Sequence, residues 1–220
     1  VVSAGGAGDA IVLAAAGNFV NNAGPAALVP GSGRWLLYST APGSDARGGL
    51  VYDFKQYDAT HGVTPVLGTG NGMLYSLAPT LAVSLTGTVG KGYDGTTLAT
   101  LGAANYAFSG TIDADTATLG TPALGTYATK NVGTGIDVSV AGVTVASAAN
   151  AGRPVYGYQP ASATVSAGIG NIAPAALTVT AQPDSRVYDS TSASTIAPLV
   201  TGALYDPVGT PAMQSFDTKS

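Results

Sequence analysis

The sequence predicts an all-β protein made of short strands, and three observations carry that expectation. First, Glu is absent and Lys plus Arg total 8 of 220 residues, so the residues that fill ordinary helices are missing. Second, 31 Gly and 13 Pro interrupt the chain every few residues. Third, several segments alternate apolar and polar residues with a period of two, in a chain rich in Thr, Val and Tyr.

Residues 9–20 place Ile11 and Leu13 on one face, then break at Gly17-Asn18 before Phe19 and Val20. Asn21, Asn22, Ala23 and Gly24 close the unit. Two short strands with a Gly/Asn corner suit one coil of a parallel β-helix, and one coil cannot bury its own face. The chain opens on Val1, which suggests a piece of a longer protein. Next come RWLLYS (34–39), GLVYDFKQY (49–57) and MLYSL (73–77), with linkers of Pro, Gly, Ser and Asn between them. In the middle run Leu50, Tyr52 and Phe54 share one face and Asp53 and Lys55 the other, the pattern of a half-buried strand.

From Leu81 the texture changes. Leu81, Val83 and Leu85 alternate with Ala82, Ser84 and Thr86, Tyr106 and Phe108 with Ala107 and Ser109, and Ile136, Val138 and Val140 with Asp137 and Ser139. The phase flips after Ala141-Gly142, which predicts a turn or bulge there. Residues 175–181 form another clean strand. Turn signals about every ten residues are the spacing of a β-sandwich.

KGYDGTT at 91–97 and RVYDSTS at 186–192 each follow a Leu-x-Val strand, and Tyr93 and Tyr188 stand 95 positions apart. In the first copy Asp94 can accept a backbone N–H two residues on, and Gly95 can supply positive φ. Ser190 replaces that glycine in the second copy, so its turn must be strained or built differently. The expected division is a β-helix-like segment at 1–40, a connecting β segment at 41–79, a sandwich module at 80–176 and the start of another at 177–220.

Three stretches resemble the YDG-type repeat of large bacterial exoproteins, the filamentous-haemagglutinin-like adhesins secreted by the two-partner route. They are Lys91 to Thr97, Gly125 to Gly135 with the strand pair after it, and Tyr156-Gly157-Tyr158 leading into Leu177-Thr178-Val179. Residues 9–78 look like the end of a long β-helix plus the connecting region that precedes such repeats. Gly92, Ala128 and the second copy depart from the pattern. The resemblance implies a secreted or cell-surface adhesin fragment, exported through an outer-membrane transporter and flanked by further modules. It implies a part in adhesion, aggregation or biofilm-matrix binding, with a glycan or polysaccharide as ligand. The alternative is a structural spacer with no ligand of its own. No catalytic residue is carried over.

Composition narrows the function further. Charged residues make up 9% of the chain, against about 25% in an average domain. A net charge of -4 with scattered bases is no nucleic-acid surface. No apolar run approaches the ~18 residues of a membrane span. One His, no Glu and no Cys leave acid–base, triad and thiolate chemistries short of parts, so the expectation is a protein that is not an enzyme. Asp113 and Asp115 form the best candidate metal site, for a structural Ca²⁺, because alternate residues can aim both carboxylates one way. Asp45 with Arg47 and Asp53 with Lys55 read as surface ion pairs. Trp35, Tyr38, Tyr52 and Tyr57 are the aromatic candidates for stacking on sugar rings, if they are exposed rather than core. An amide link from Lys91 or Lys130 to an Asn or Asp could replace the missing disulfides.

Overall fold

A computed structural model describes residues 1–187, 189–203 and 205. It is almost all β, with 44% strand and 3% helix. Among the described residues no helix is long and apolar enough to cross a membrane.

Residues 1–47 wind as two stacked coils. Val2–Ser3 lies parallel to Leu28–Val29, Asp9–Ala14 parallel to Arg34–Ser39, and Val20 bridges Ala46 in the same sense. Val2 pairs with Leu28 and Ile11 with Trp35, so about 25 residues carry the chain once around and back over itself. The corner at Asn21 is held by its side chain. Nδ2 donates to the carbonyls of Gly24 (2.8 Å) and Arg47 (3.0 Å), and Oδ1 accepts from the Ala23 N–H (2.9 Å). The corner's backbone groups are thereby satisfied within the protein.

These coils open a seven-stranded sheet. Its order is Thr116–Gly120, Thr144–Asn150, Arg153–Tyr156, Phe54–Gln56, Gly72–Tyr75, Arg34–Ser39, Asp9–Ala14. Strands Arg153–Tyr156 through Asp9–Ala14 pair in parallel, and the first two of the order add antiparallel. Val155 pairs with Lys55 and Tyr156 with Gln56, so the sheet runs straight across the boundary expected at 79/80. The reason is edge satisfaction. Phe54–Gln56 would leave a row of unpaired N–H and C=O groups unless a later strand covered it.

Strand Arg34–Ser39 is buried on both faces. Trp35 and Leu37 join a core with Ile11, Tyr52, Tyr57, Met73 and Tyr75. Leu36 and Tyr38 join a second core with Phe54, Ala59 and Leu74. A strand covered on both faces reads as an unbroken apolar run, which explains RWLLYS.

The sandwich expected after residue 80 is present in part. A five-stranded sheet has the order Val89–Gly92, Thr164–Ala173, Gly133–Ala141, Leu124–Tyr127, Leu98–Thr100. A three-stranded sheet has Tyr106–Ser109, Thr80–Leu85 and Gln159–Pro160. Leu85 of the smaller sheet packs with Val89, Leu101, Tyr127, Val138, Val140, Val143 and Ile172. The phase flip at Ala141-Gly142 marks a passage between sheets. Gly133–Ala141 belongs to the five-stranded sheet and Thr144–Asn150 to the seven-stranded one, with Val143 fully buried between them. Beyond residue 177, Thr178–Thr180 pairs antiparallel with Leu199–Thr201.

Because one sheet contains strands from both sides of residue 80, the coils and the sandwich should unfold together. Fluorescence of Trp35, which is 2% exposed in the coil core, should follow the same urea transition as far-UV circular dichroism. A Trp35 transition separated from the dichroism transition would show that the coils fold as their own unit.

Candidate functional site

The most elaborate polar arrangement lies inside the protein, where the coils meet the later strands. Lys55, the middle residue of Phe54–Gln56, is fully buried. Its Nζ donates to Asp113 Oδ2 at 2.7 Å and forms a closer ion pair with Asp115 Oδ1. Asp115 is also fully buried at its side chain, while Asp113 keeps 22% exposure. Arg47 Nη2 reaches Asp113 Oδ2 at 2.5 Å, and its guanidinium lies 5.8 Å and 5.9 Å from the ring centres of Tyr52 and Tyr75.

Both oxygens of Asp115 are fully engaged. Oδ1 accepts from Lys55 and from Asn150 Nδ2 (2.9 Å). Oδ2 accepts from the hydroxyls of Tyr57 (2.7 Å) and Tyr158 (3.0 Å). Asn150 Nδ2 also donates to the Asp113 carbonyl, and its Oδ1 accepts from Tyr52 Oη at 2.6 Å. Such satisfaction is what burial of a charge requires.

Local chain geometry sets this up. Asp113 and Ala114 both take left-handed backbone, φ 53° and 55°, which turns the two carboxylates inward together. Gly157 has φ 92°, and a Cβ there would run into the Tyr57 carbonyl. Only glycine lets the chain pass so close. The Tyr57 N–H donates to the Tyr156 carbonyl at 2.9 Å, and Tyr158 arrives edge-on to Tyr57 with ring centres 5.1 Å apart.

The environment holds the tyrosines protonated. Burial, then the hydrogen bond to Asp115 and its charge, pushes the Tyr57 hydroxyl far above its ordinary range. Burial raises Tyr75 as well, with Arg47 opposing. Burial, together with the Asp115 charge, pushes Tyr158 up to about 12. Burial works against ionised Asp113, but hydrogen bonds from Lys55 and Arg47 outweigh it and lower its pKa.

The residues singled out from sequence therefore find other roles. Asp113 and Asp115 do converge, but the positive charge between them is the Lys55 ammonium rather than an open cation site. Among the described residues no group of three His, Cys, Asp or Glu could hold a metal ion. Trp35, Tyr38, Tyr52 and Tyr57 are 2%, 7%, 8% and 1% exposed, so they are core residues rather than a stacking platform. The expected surface pairs also dissolve. Arg47 goes to Asp113, while Asp45 accepts from Ser39 Oγ (2.6 Å) and the Phe19 N–H (2.7 Å). Asp53 accepts from the Asn71 N–H. Lys55 reads as a surface cation from sequence because alternation does not show that both faces of its strand are covered, and Tyr158, two residues past Arg153–Tyr156, carries no local signal of its bond to Asp115.

A second arrangement is the turn at 91–97. Asp94 Oδ1 accepts from the Thr96 N–H and hydroxyl, both at 2.9 Å. Lys91 Nζ donates to Asp94 Oδ1 (2.7 Å), the Thr96 carbonyl (2.7 Å) and the Thr96 hydroxyl (2.9 Å). The Lys91 bond, then the Thr96 N–H, lower Asp94 to about 2. The same clamp recurs 95 positions on. Asp189 Oδ1 accepts from the Thr191 N–H and hydroxyl, and Arg186 reaches Asp189 Oδ2, the Thr191 hydroxyl and the Thr191 carbonyl. Ser190 takes φ 61° where Gly95 takes 73°, so the serine copy is built the same way and bears the strain. Tyr188 lies outside the described residues. Lys91 also sits 5.3 Å from the centre of the Tyr127 ring.

An all-β sandwich joined to stacked parallel coils is the class that these features define. More particularly, a YDG domain model matches residues 77–154, and the chain carries a YDG-type domain there. No curated protein and no solved structure matches the chain. The matched stretch holds the first clamp, Asp113, Asp115 and Asn150. Lys55, Tyr57 and Tyr158 fall outside it, so the cluster joins the domain to its flanks.

Two predictions follow from these pKa shifts and turn angles. The raised tyrosines contribute stability that is fully present below the ordinary tyrosine value of 10.0 and is lost as pH rises through their folded values, about 12 for Tyr158. Asp113 acts oppositely, its share being lost as pH falls below 3.8. Tyrosinate absorbance from the buried tyrosines should appear only together with loss of dichroism above pH 10. Separately, Ser190→Gly should relieve left-handed strain and stabilise the second turn by up to about 1 kcal/mol, read as slower amide exchange at Thr191.

Proposed function

We propose that the chain is a stalk segment of a large secreted or cell-surface bacterial adhesin, of the filamentous-haemagglutinin-like kind exported by an outer-membrane two-partner transporter. On this reading it is not an enzyme, and its task is to join a coil-stacked shaft to a row of YDG-type modules. The observation that carries the reading is the clamp repeated 95 positions apart at Lys91-Asp94-Thr96 and Arg186-Asp189-Thr191, in which a threonine N–H bonds the aspartate and a base three residues before that aspartate reaches the same carboxylate. Repetition of one turn in successive units is the mark of a modular array. Burial of Trp35, Tyr38, Tyr52 and Tyr57 favours the stalk over direct glycan capture.

One feature supports a second reading, in which this segment itself contributes to adhesion or biofilm-matrix binding. A shallow groove of about 340 Å³ is lined by Ser39, Thr40, Thr60, Ser76 and His61, with the edge of Tyr38. His61 packs edge-on against Tyr38 at 5.0 Å between ring centres. Hydroxyls and an aromatic edge with no carboxylate suit a neutral sugar better than a charged partner.

A glycan and matrix-polymer array, run with and without Ca²⁺, separates the two. The stalk reading expects no saturable binding and no shift in melting temperature with any polymer. Saturable binding that His61→Ala abolishes, with dichroism unchanged, would replace it with the second reading.

A further inference from the structure

The cluster around Lys55 has the parts of a self-acylation site. We propose that Lys55 and Asp115 condense, once the chain has folded, into an intramolecular amide between Nζ and Cγ.

The geometry supplies each requirement. The nucleophile and the carboxyl are in direct contact, and both side chains are fully buried, so bulk water that would favour hydrolysis is excluded. Holding the two groups together in one geometry replaces an encounter with a local step. Asp113 Oδ2, 2.7 Å from Nζ, is placed to take a proton and free the lone pair. Asp115 Oδ2, where negative charge develops as Nζ adds to Cγ, already accepts two hydroxyl donors, Tyr57 at 2.7 Å and Tyr158 at 3.0 Å. That pair is an oxyanion hole made of side chains. Oδ1 is the leaving oxygen. Asn150 Nδ2 steadies it at 2.9 Å, and Tyr52 fixes that amide from behind.

The step balances without any other reactant. The ammonium carries three protons and the carboxylate none. One proton stays on the amide nitrogen. Two leave with Oδ1 as water, one passed directly along the Lys55–Asp115 contact and one by way of Asp113. The C–Oδ1 bond breaks, the C–N bond forms, and the positive and negative charges cancel. Nothing is oxidised or reduced. Asp113 ends as it began, paired with Arg47.

The bond would close a span of 60 positions and tie strand Phe54–Gln56 to the loop before Thr116–Gly120. In a chain without cysteine it would do the work of a disulfide at the junction between the coils and the YDG-type domain. The site differs from the lysines expected from sequence. Lys91 is occupied with the exposed clamp on Asp94 and Thr96.

The test is the mass of the natively folded whole chain, incubated at neutral pH and then denatured. The expected mass is that of the sequence less one water. Trypsin should fail to cut after Lys55 and should release a branched peptide joining residues 48–91 to 92–130. That peptide separates the amide from simple dehydration at Asp94-Gly95. Asp115→Asn should reach the same final mass, now by loss of ammonia, whereas Lys55→Arg should keep its full mass. An unshifted mass with normal cleavage after Lys55 would overturn the proposal and leave a buried ion pair. A branch to Asn150, with ammonia lost from the natural chain, would overturn the assignment to Asp115.

Discussion

A single fully buried ammonium organises this protein. Taking Lys55 out of water costs several kcal/mol unless opposite charge and further hydrogen bonds surround it. The chain meets that demand from far away in sequence. Asp113 and Asp115 come from the loop before Thr116–Gly120, Asn150 from the end of the next strand in the sheet, and Tyr158 from beyond the strand that pairs with Phe54–Gln56. Such a cluster adds little net stability compared with an apolar core, but it is intolerant of misplacement. A one-residue slip between Phe54–Gln56 and Arg153–Tyr156 would turn Lys55 toward the opposite core of Leu36, Phe54 and Leu74. The charge therefore fixes the register at which the coils and the later strands join.

The parts legible in the sequence were those set by nearby residues. The all-β class followed from composition. The corner near Asn21 followed from two short apolar runs and a polar break, but the coil does not close at Gly24: it runs on until Arg34–Ser39 lies over Asp9–Ala14, and Asn21 acts through its side chain. The turn at Asp94 followed from the reach of an aspartate to the amide two residues on. The cluster was half legible. Asp113 and Asp115 do share a site, but nothing within ten residues shows that their cation is Lys55. Period-two alternation placed Lys55 with Asp53 on an open face. Alternation reports that two faces differ, and it is silent on whether a second sheet or loop covers the polar one. The same blindness made Tyr52 and Tyr57 look available to a ligand.

The low charge takes on a sharper meaning beside these contacts. Arg34, Arg47, Lys55, Lys91 and Arg186 each pair with an aspartate. Arg153 lies 5.6 Å from the centre of the Tyr52 ring. These six bases are spent on joints within the fold: a coil edge, the junction cluster and two copies of one turn. A surface left to Gly, Ala, Ser and Thr has little charge with which to steer or repel a neighbour. That suits modules set end to end, where each must tolerate the next at close quarters.

The two clamps extend that argument. Lysine and arginine differ in shape and donor number, yet Lys91 and Arg186 each reach the aspartate carboxylate, the threonine hydroxyl and the threonine carbonyl of their own turn, Lys91 through Asp94 Oδ1 and Arg186 through Asp189 Oδ2. Ser190 keeps the left-handed angle of Gly95 against its own preference. A turn that merely needed to reverse the chain would have relaxed to a commoner type once the glycine was gone. Its persistence means that the bonds around the aspartate outweigh the strain on the serine. The conserved quantity between the copies is thus the hydrogen-bond pattern, which letter-by-letter similarity understates.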